Sequence, residues 1–379
     1  MTDHPQPSPP SAPDTASVPS PRTLWVGTYP ELGADAPAGA GEGIWRVTLD
    51  PATGRLDGRQ VVRTPAPSFL AVHPSGRVLY AVGEQDPGTV SVFTVADPAD
   101  GDDPLVHQAT VSSGGDSPCH LLLAPDARTL YAANYASGTL AVLPLDAAGF
   151  LAPEVAAAGG PAQVFGHTGS GPRADRQESS HAHFVAHAPG GRHLLVSDLG
   201  TDELRRYRVA DDGLLTEDGI AARLPAGAGP RHLVFAADGR HAYVVGELDR
   251  AVHVLSWDQD SATGAHVQRV PLASPPSAEL PSTALPSHIV REGDLLLVGV
   301  RKTDLVVALR VGGEGRVESK PVATELSGGW PRHLAVVDGW TVVAEQVPGA
   351  VVTLAPGSRS VARVLPTPSA ACVVPHPIG

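Results

Sequence analysis

Ser68-Phe69-Leu70-Ala71-Val72-His73-Pro74-Ser75-Gly76-Arg77, then Val78-Leu79-Tyr80-Ala81-Val82, then Thr89-Val90-Ser91-Val92-Phe93 is the stretch that decides the fold. It reads as an apolar strand, a turn whose glycine supplies positive φ, a second strand, a short polar loop and a third strand. The same phrase returns from Cys119, His183 and Arg231, and more weakly from Ser287 and Arg332. These starts lie 51, 64, 48, 56 and 45 residues apart. Several short strands repeated every ~40–50 residues are the signature of a β-propeller.

Each unit then supplies an inner strand (68–72 in the first), a Pro/Asp-Gly-Arg hairpin, a second strand (78–82), a third (89–95) and a variable outer strand (near 106–112). The apolar runs are four to seven residues long and end in Gly, Pro, Asp or Asn, with almost no helical periodicity. Six units are full or nearly full, and a seventh is split. Residues 23–28 match a second strand and 43–49 a third, with no inner strand before them. Ala370-Ala371-Cys372-Val373-Val374 supplies it. The chain is therefore predicted to be all-β, a seven-bladed β-propeller closed by its N- and C-terminal strands, which removes exposed sheet edges. The propeller spans 23–379, and residues 1–22, with seven prolines, read as a disordered tail.

The net charge of −13, with no run of Lys or Arg, excludes a nucleic-acid surface. No stretch approaches the ~20 apolar residues of a membrane span. Two cysteines give no disulfide framework, and the expected location is the cytoplasm. A monomer or weak homodimer is expected, with no cofactor and no metal.

Antiparallel pairing brings the start of each inner strand and the end of each second strand to one face, near the central channel. Read down the repeats, the inner-strand starts are Ser68, Cys119, His183, Arg231, Ser287 and Arg332, followed by Phe69, His120, Phe184, His232, His288 and His333. The second-strand ends are Tyr29, Glu84, Tyr135, Leu199, Glu247, Arg301 and Glu345. Structural positions in a repeat read alike; these columns instead collect Arg, Glu and His, one kind per blade. Such a mouth is a concave polar site suited to an anionic small molecule. Two plainer readings stand beside it. The recurring histidines His120, His232, His288 and His333 fit a repeated structural hydrogen bond, and Arg231, Glu247 and Arg301 fit an internal ion-pair ring.

A polar, Gly-rich insertion at 161–183 carries Arg176-Gln177 and ends in His181-Ala182-His183 at the mouth. A long loop without secondary structure is usually functional or disordered. His-x-His can hold a metal, but no Cys or Asp pair of ligand spacing accompanies it. Cys119 beside His120 can be read as a nucleophile or, more simply, as a small buried thiol.

Gly27-Thr28-Tyr29, Gly43-Ile44-Trp45, Pro118-Cys119-His120, Ala133-Asn134-Tyr135, Arg176-Gln177, His181-Ala182-His183, Gly229-Pro230-Arg231-His232 and Gly246-Glu247-Leu248 resemble the seven-bladed propeller lactonases. That group holds propeller-type 6-phosphogluconolactonases and the fungal 3-carboxy-cis,cis-muconate lactonizing enzyme. The resemblance covers 23–375 and implies a catalytic set of His183, Arg231, Glu247 and Arg301. The substrate-binding set read with it is Arg176, Gln177, His181, His120, Glu84, His232 and Arg332. Gly246 stands where an asparagine usually precedes the glutamate. The expected activity is hydrolysis of a small anionic sugar lactone, 6-phosphogluconolactone first, with Glu247 or His183 as general base. A muconate-type cycloisomerase and a non-catalytic binding scaffold are the alternatives.

Overall fold

The computed structural model describes residues 20–29, 43–96, 105–274, 278–318, 322–326, 330–347 and 349–378. The tail reading falls almost wholly on 1–19, outside the described residues. Among the described residues the chain forms seven four-stranded antiparallel sheets. Their inner strands are Leu70–Val72 (blade I), Pro118–Leu123 (II), Ala182–His187 (III), Pro230–Phe235 (IV), Leu285–Glu292 (V), Pro331–Val337 (VI) and Ala370–Pro375 (VII). Each inner strand touches the next, and Ala370–Pro375 touches both Pro331–Val337 and Leu70–Val72. Blade VII is the split one. Ala370–Pro375 pairs antiparallel with Arg22–Thr28, Leu24 opposite Pro375 and Thr28 opposite Ala370.

The second strands carry apolar residues on both faces because each blade is covered by a neighbour on either side. Tyr80, Val82, Val90 and Val92 of blade I share one core with Leu130, Ala132, Ala141 and Leu143 of blade II. Tyr243, Val252 and Val254 of blade IV share another with Leu296, Val298 and Val307 of blade V. The few aromatics are reused as ties between blades. The hydroxyls of Tyr80, Tyr131 and Tyr243 donate to the carbonyls of Gly149, Gly213 and Gly315 in the next blade, at 2.5, 2.8 and 3.1 Å.

Three sequence readings shift. The inner strand of blade I is shorter than 68–72, beginning at Leu70. A short helix, Pro153–Ala158, interrupts blade II; Pro153 starts it and Gly159, at φ 68°, ends it in the left-handed conformation. Six residues are too few to show a 3.6-residue period. The insertion is not structureless throughout, because Gln163–Gly166 is the outer strand of blade II, paired with Thr139–Pro144.

Candidate active site

The backbone fixes the polar columns. In blades II, III and IV the residue after the second strand donates its N–H to the residue before the inner strand: Tyr135 to Ser117, Leu199 to His181 and Glu247 to Gly229, each at 2.9 Å. In blade VI this donor is Gln346, bonded to the Trp330 carbonyl at 3.0 Å. Gln346, not Glu345, is therefore the column member. The cause is the tight Asp338-Gly339 turn, both residues at positive φ, which shortens that hairpin.

Glu247 is the centre of the mouth and is 2% exposed. Its Oε1 lies 2.6 Å from Arg176 Nη2, and its Oε2 lies 2.6 Å from Arg301 Nη2 and 3.0 Å from Arg231 Nε. The Arg231 contact is an ion pair without hydrogen-bond alignment. Each arginine is also fixed elsewhere. Arg231 Nη1 donates to the Ser287 carbonyl at 2.6 Å, Arg301 Nε to Leu285 at 3.2 Å, and Arg176 Nη2 to the Tyr135 hydroxyl at 3.3 Å. Burial alone would raise the Glu247 pKa, but Arg301, Arg231 and Arg176 outweigh it and hold the carboxyl well below its usual range. Burial and Arg301 depress Arg231, which stays a cation beside the carboxylate.

His183 is 7% exposed, with Nδ1 3.8 Å from Cys119 Sγ and its ring edge-on to Tyr135 and His232. Burial, then Arg231, push its pKa well below that of an ordinary histidine, so it is neutral at pH 7. Burial also pushes the Cys119 thiol up, the opposite of what an activated nucleophile needs.

A second cluster lies across the mouth. Tyr29 Oη donates to Glu84 Oε1 at 3.0 Å, and Ser68 Oγ donates to Glu84 Oε2. Arg332 stands 3.6 Å from Glu84, 4.2 Å from the centre of the Tyr29 ring, and donates to Gln346 at 3.1 Å. Burial, then Glu84, push the Tyr29 hydroxyl up to about 12. Tyr29, Ser68 and Tyr135 belonged to the columns; Gln346 did not, because the count there fell on Glu345.

Other expected binding residues do not face the mouth as free groups. Gln177 is fully buried, its amide bound to the Leu199 carbonyl, to Asp202 and to the Arg173 N–H, so it holds the loop together. His181 stacks on Tyr135 at 4.5 Å, Nδ1 against the Tyr135 carbonyl. His120 and His232 belong to a closed ring of six side chains across the channel: Phe69, His120, Phe184, His232, His288 and His333. Successive centroids are 4.3, 4.2, 4.5, 4.9 and 4.0 Å apart, and His333 returns to Phe69 at 5.5 Å. Within it His232 Nδ1 and His288 Nδ1 are 2.6 Å apart, and His120 accepts the Val185 N–H at 3.3 Å. His333 likewise accepts the Val373 N–H at 3.4 Å, so the repeated hydrogen bond weighed for these histidines is seen at His120 and His333, while His232 and His288 pair with each other. Beyond the ring lies an apolar funnel of about 650 Å³ bounded by the far ends of the inner strands. Among the described residues no group of three His, Cys, Asp or Glu is placed to hold a metal, and no helix is long and apolar enough to cross a membrane.

Comparison with known proteins bears on the fold and the family. Residues 23–372 match the family model described as lactonase, 7-bladed beta-propeller. The chain is 29% identical to a 6-phosphogluconolactonase of Bacillus subtilis, over 93% of this chain and 96% of that protein. A solved periplasmic gluconolactonase of Pseudomonas aeruginosa superposes with a TM-score of 0.80 at 28% identity, over 95% of this chain and all of that one. A Bacteroides fragilis structure at 24% identity shares the fold, with a TM-score of 0.79 over 96% of this chain and 99% of the other. The chain therefore belongs to the lactonase family of seven-bladed β-propellers.

Proposed function

We propose that the chain hydrolyses an anionic sugar lactone, 6-phosphogluconolactone to 6-phosphogluconate. The observation that carries this reading is the charge at Glu247. Three guanidinium groups meet one carboxylate, which leaves a surplus of two positive charges in a largely buried setting. Such a surplus is costly without a partner anion. A phosphorylated lactone, or the oxyanion formed during its opening, supplies that partner. The names of the Bacillus and Pseudomonas relatives support the same substrate class.

Hydrolysis needs a base for water, a stabilised oxyanion and a proton for the departing ring oxygen. Glu247 is held as a carboxylate by three cations and is a poor base. His183 is neutral, with Nδ1 turned to Cys119, and takes the water proton on its other ring nitrogen. The hydroxide adds to the lactone carbonyl, and Arg231 and Arg301 hold the developing negative charge. The carbon–ring oxygen bond then breaks as the His183 imidazolium returns the proton to that oxygen. Glu247 positions both arginines. Aldonolactones open unaided in water, so this chemistry requires neither a metal nor a covalent intermediate. The proposed setting is the cytoplasm, resting on two free, buried cysteines.

A coupled assay on 6-phosphogluconolactone at pH 7, with and without chelator, tests the reading. Chelator-insensitive turnover is expected, with His183→Asn and Arg231→Ala each lowering kcat by at least ~100-fold. Full activity in both variants overturns the assignment. Closure of a muconate without any lactone opening would favour the cycloisomerase.

A further inference from the structure

Arg301 does two things at once. Its Nη2 holds Glu247, and its guanidinium carbon lies 5.9 Å from the centre of the Trp330 indole. The next residue, Lys302, places its ammonium 5.6 Å from the same ring. Both distances are within cation–π range. Consecutive residues of a regular strand point to opposite faces, so one ring does not ordinarily receive both. The backbone explains how it does here.

In four of the loops that leave the second strands, the left-handed residue comes third after the column residue: Gly138 after Tyr135, Asp202 after Leu199, Arg250 after Glu247, Gly349 after Gln346. Blade V keeps that position, at Asp304, and adds a second immediately after Arg301. Lys302 sits at φ 65°, a left-handed conformation that is strained for a non-glycine residue. Strain of this kind persists where the surrounding structure demands it, and it clusters at ligand clamps.

Two further observations point to a ligand. The Trp330 Nε1–H is buried and has no hydrogen-bond partner among the described residues. Lys302 is exposed, and among the described residues no carboxylate lies within ion-pair distance of it. Arg176, Arg231, Arg301 and Arg332 all have carboxylate partners, so Lys302 is the uncommitted cation beside this mouth.

We propose that Trp330 and Lys302 form a specificity shelf for the anionic tail of the substrate. The indole packs the C–H face of the sugar chain, its N–H donates to a tail oxygen, and Lys302 neutralises the terminal phosphomonoester. Arg301 links the shelf to the Glu247 cluster, where the lactone carbonyl reacts. The shelf deepens the lactonase reading and rests on it for the identity of the tail.

The test compares 6-phosphogluconolactone with unphosphorylated gluconolactone in wild type, Lys302→Ala, Lys302→Arg and Trp330→Phe. The ratio of kcat/KM for the two substrates is expected to fall at least tenfold in Lys302→Ala, through KM for the phosphorylated lactone. Lys302→Arg restores most of it, and Trp330→Phe lowers it partway. An unchanged ratio in Lys302→Ala, or an equal loss on both substrates, overturns the shelf. Titration of 6-phosphogluconate, gluconate and orthophosphate by calorimetry separates this outcome from failure of the lactonase reading. If wild type opens neither lactone, yet 6-phosphogluconate and orthophosphate bind at least tenfold more weakly to Lys302→Ala, the shelf stands and the lactone reading falls. If gluconate binds as tightly as 6-phosphogluconate to wild type, the shelf falls.

Discussion

Glu247 of blade IV and Arg301 of blade V meet at 2.6 Å although 54 positions separate them in the chain. Both side chains are almost fully removed from solvent, at 3% and 8% side-chain exposure. The pair ties two blades together at the place where charge is concentrated, so the fold and the candidate site share one contact.

Neutralising Glu247 should damage both. Glu247→Gln leaves Arg176, Arg231 and Arg301 facing one another without a counter-charge. Removing one partner of a buried ion pair costs about 3–5 kcal/mol. The expected result is a clear fall in melting temperature and a loss of kcat of at least ~100-fold, read by thermal denaturation and the coupled assay. Inorganic phosphate should raise the melting temperature of this variant more than that of wild type, because it refills the charge. A variant as stable and active as wild type would show that the cluster is inert.

The acid limb of activity should lie below the ordinary histidine range. His183 is held neutral by burial and by Arg231, so it loses its basic form only when pH falls through a pKa well under 6.5. A plot of kcat/KM against pH should stay flat through 6.5 and decline only below it. An inflection at or above 6.5 would remove His183 from the role of base.

Stability should follow the same direction. His120, His183, His232, His288 and His333 all have depressed pKa values, with burial the leading cause; His333 falls to about 3. Below pH 6.5 the unfolded chain binds protons that these buried imidazoles refuse, so stability is intact above 6.5 and drains as pH falls toward 3. Each such histidine contributes up to about 1.4 kcal/mol per pH unit in that window. His333→Phe, which keeps the stacking and removes the titration, should unfold at lower pH than wild type in an acid titration followed by circular dichroism.

Ending the chain after Ser369 removes the strand Ala370–Pro375, whose residues Ala370, Ala371, Cys372 and Val373 are at most 2% exposed. It also bares the Arg22–Thr28 edge. Size-exclusion chromatography should show aggregation or an expanded chain. Ending after Pro375 loses only residues 376–379, among them His376, whose Nδ1 is 3.2 Å from Trp25 Nε1. That shorter cut should leave a folded propeller.

Gln177→Leu keeps volume but strands the Leu199 carbonyl, Asp202 and the Arg173 N–H. The neighbouring Arg176 then loses its fixed reach to Glu247. A fall of about tenfold in kcat/KM is expected with unchanged affinity for orthophosphate, which a direct contact with the anion would not give.

The repeat made the architecture legible because its turn and strand residues recur at nearly constant spacing; Gly76 and Gly239 occupy the same left-handed turn position. The missing inner strand before Arg22 was enough to point to Ala370–Pro375. Counting failed where a hairpin changed length, and so Glu345 stood for Gln346. The site was legible as columns but not as bonds. Nothing in the residue types shows that Gln177 turns inward, that His120 and His232 close a ring with two phenylalanines, or that Lys302 leaves the strand in a left-handed conformation. Those facts arise from side chains of different blades meeting, and residue order within one blade does not contain them.

The closed ring of six side chains stands between the charged mouth and the apolar funnel behind it. On the proposed lactonase reading, hydrolysis converts a lactone into a species with one more carboxylate, which the arginines of the mouth attract as they attract the lactone. Accumulating acid then competes with its own precursor for the same cations.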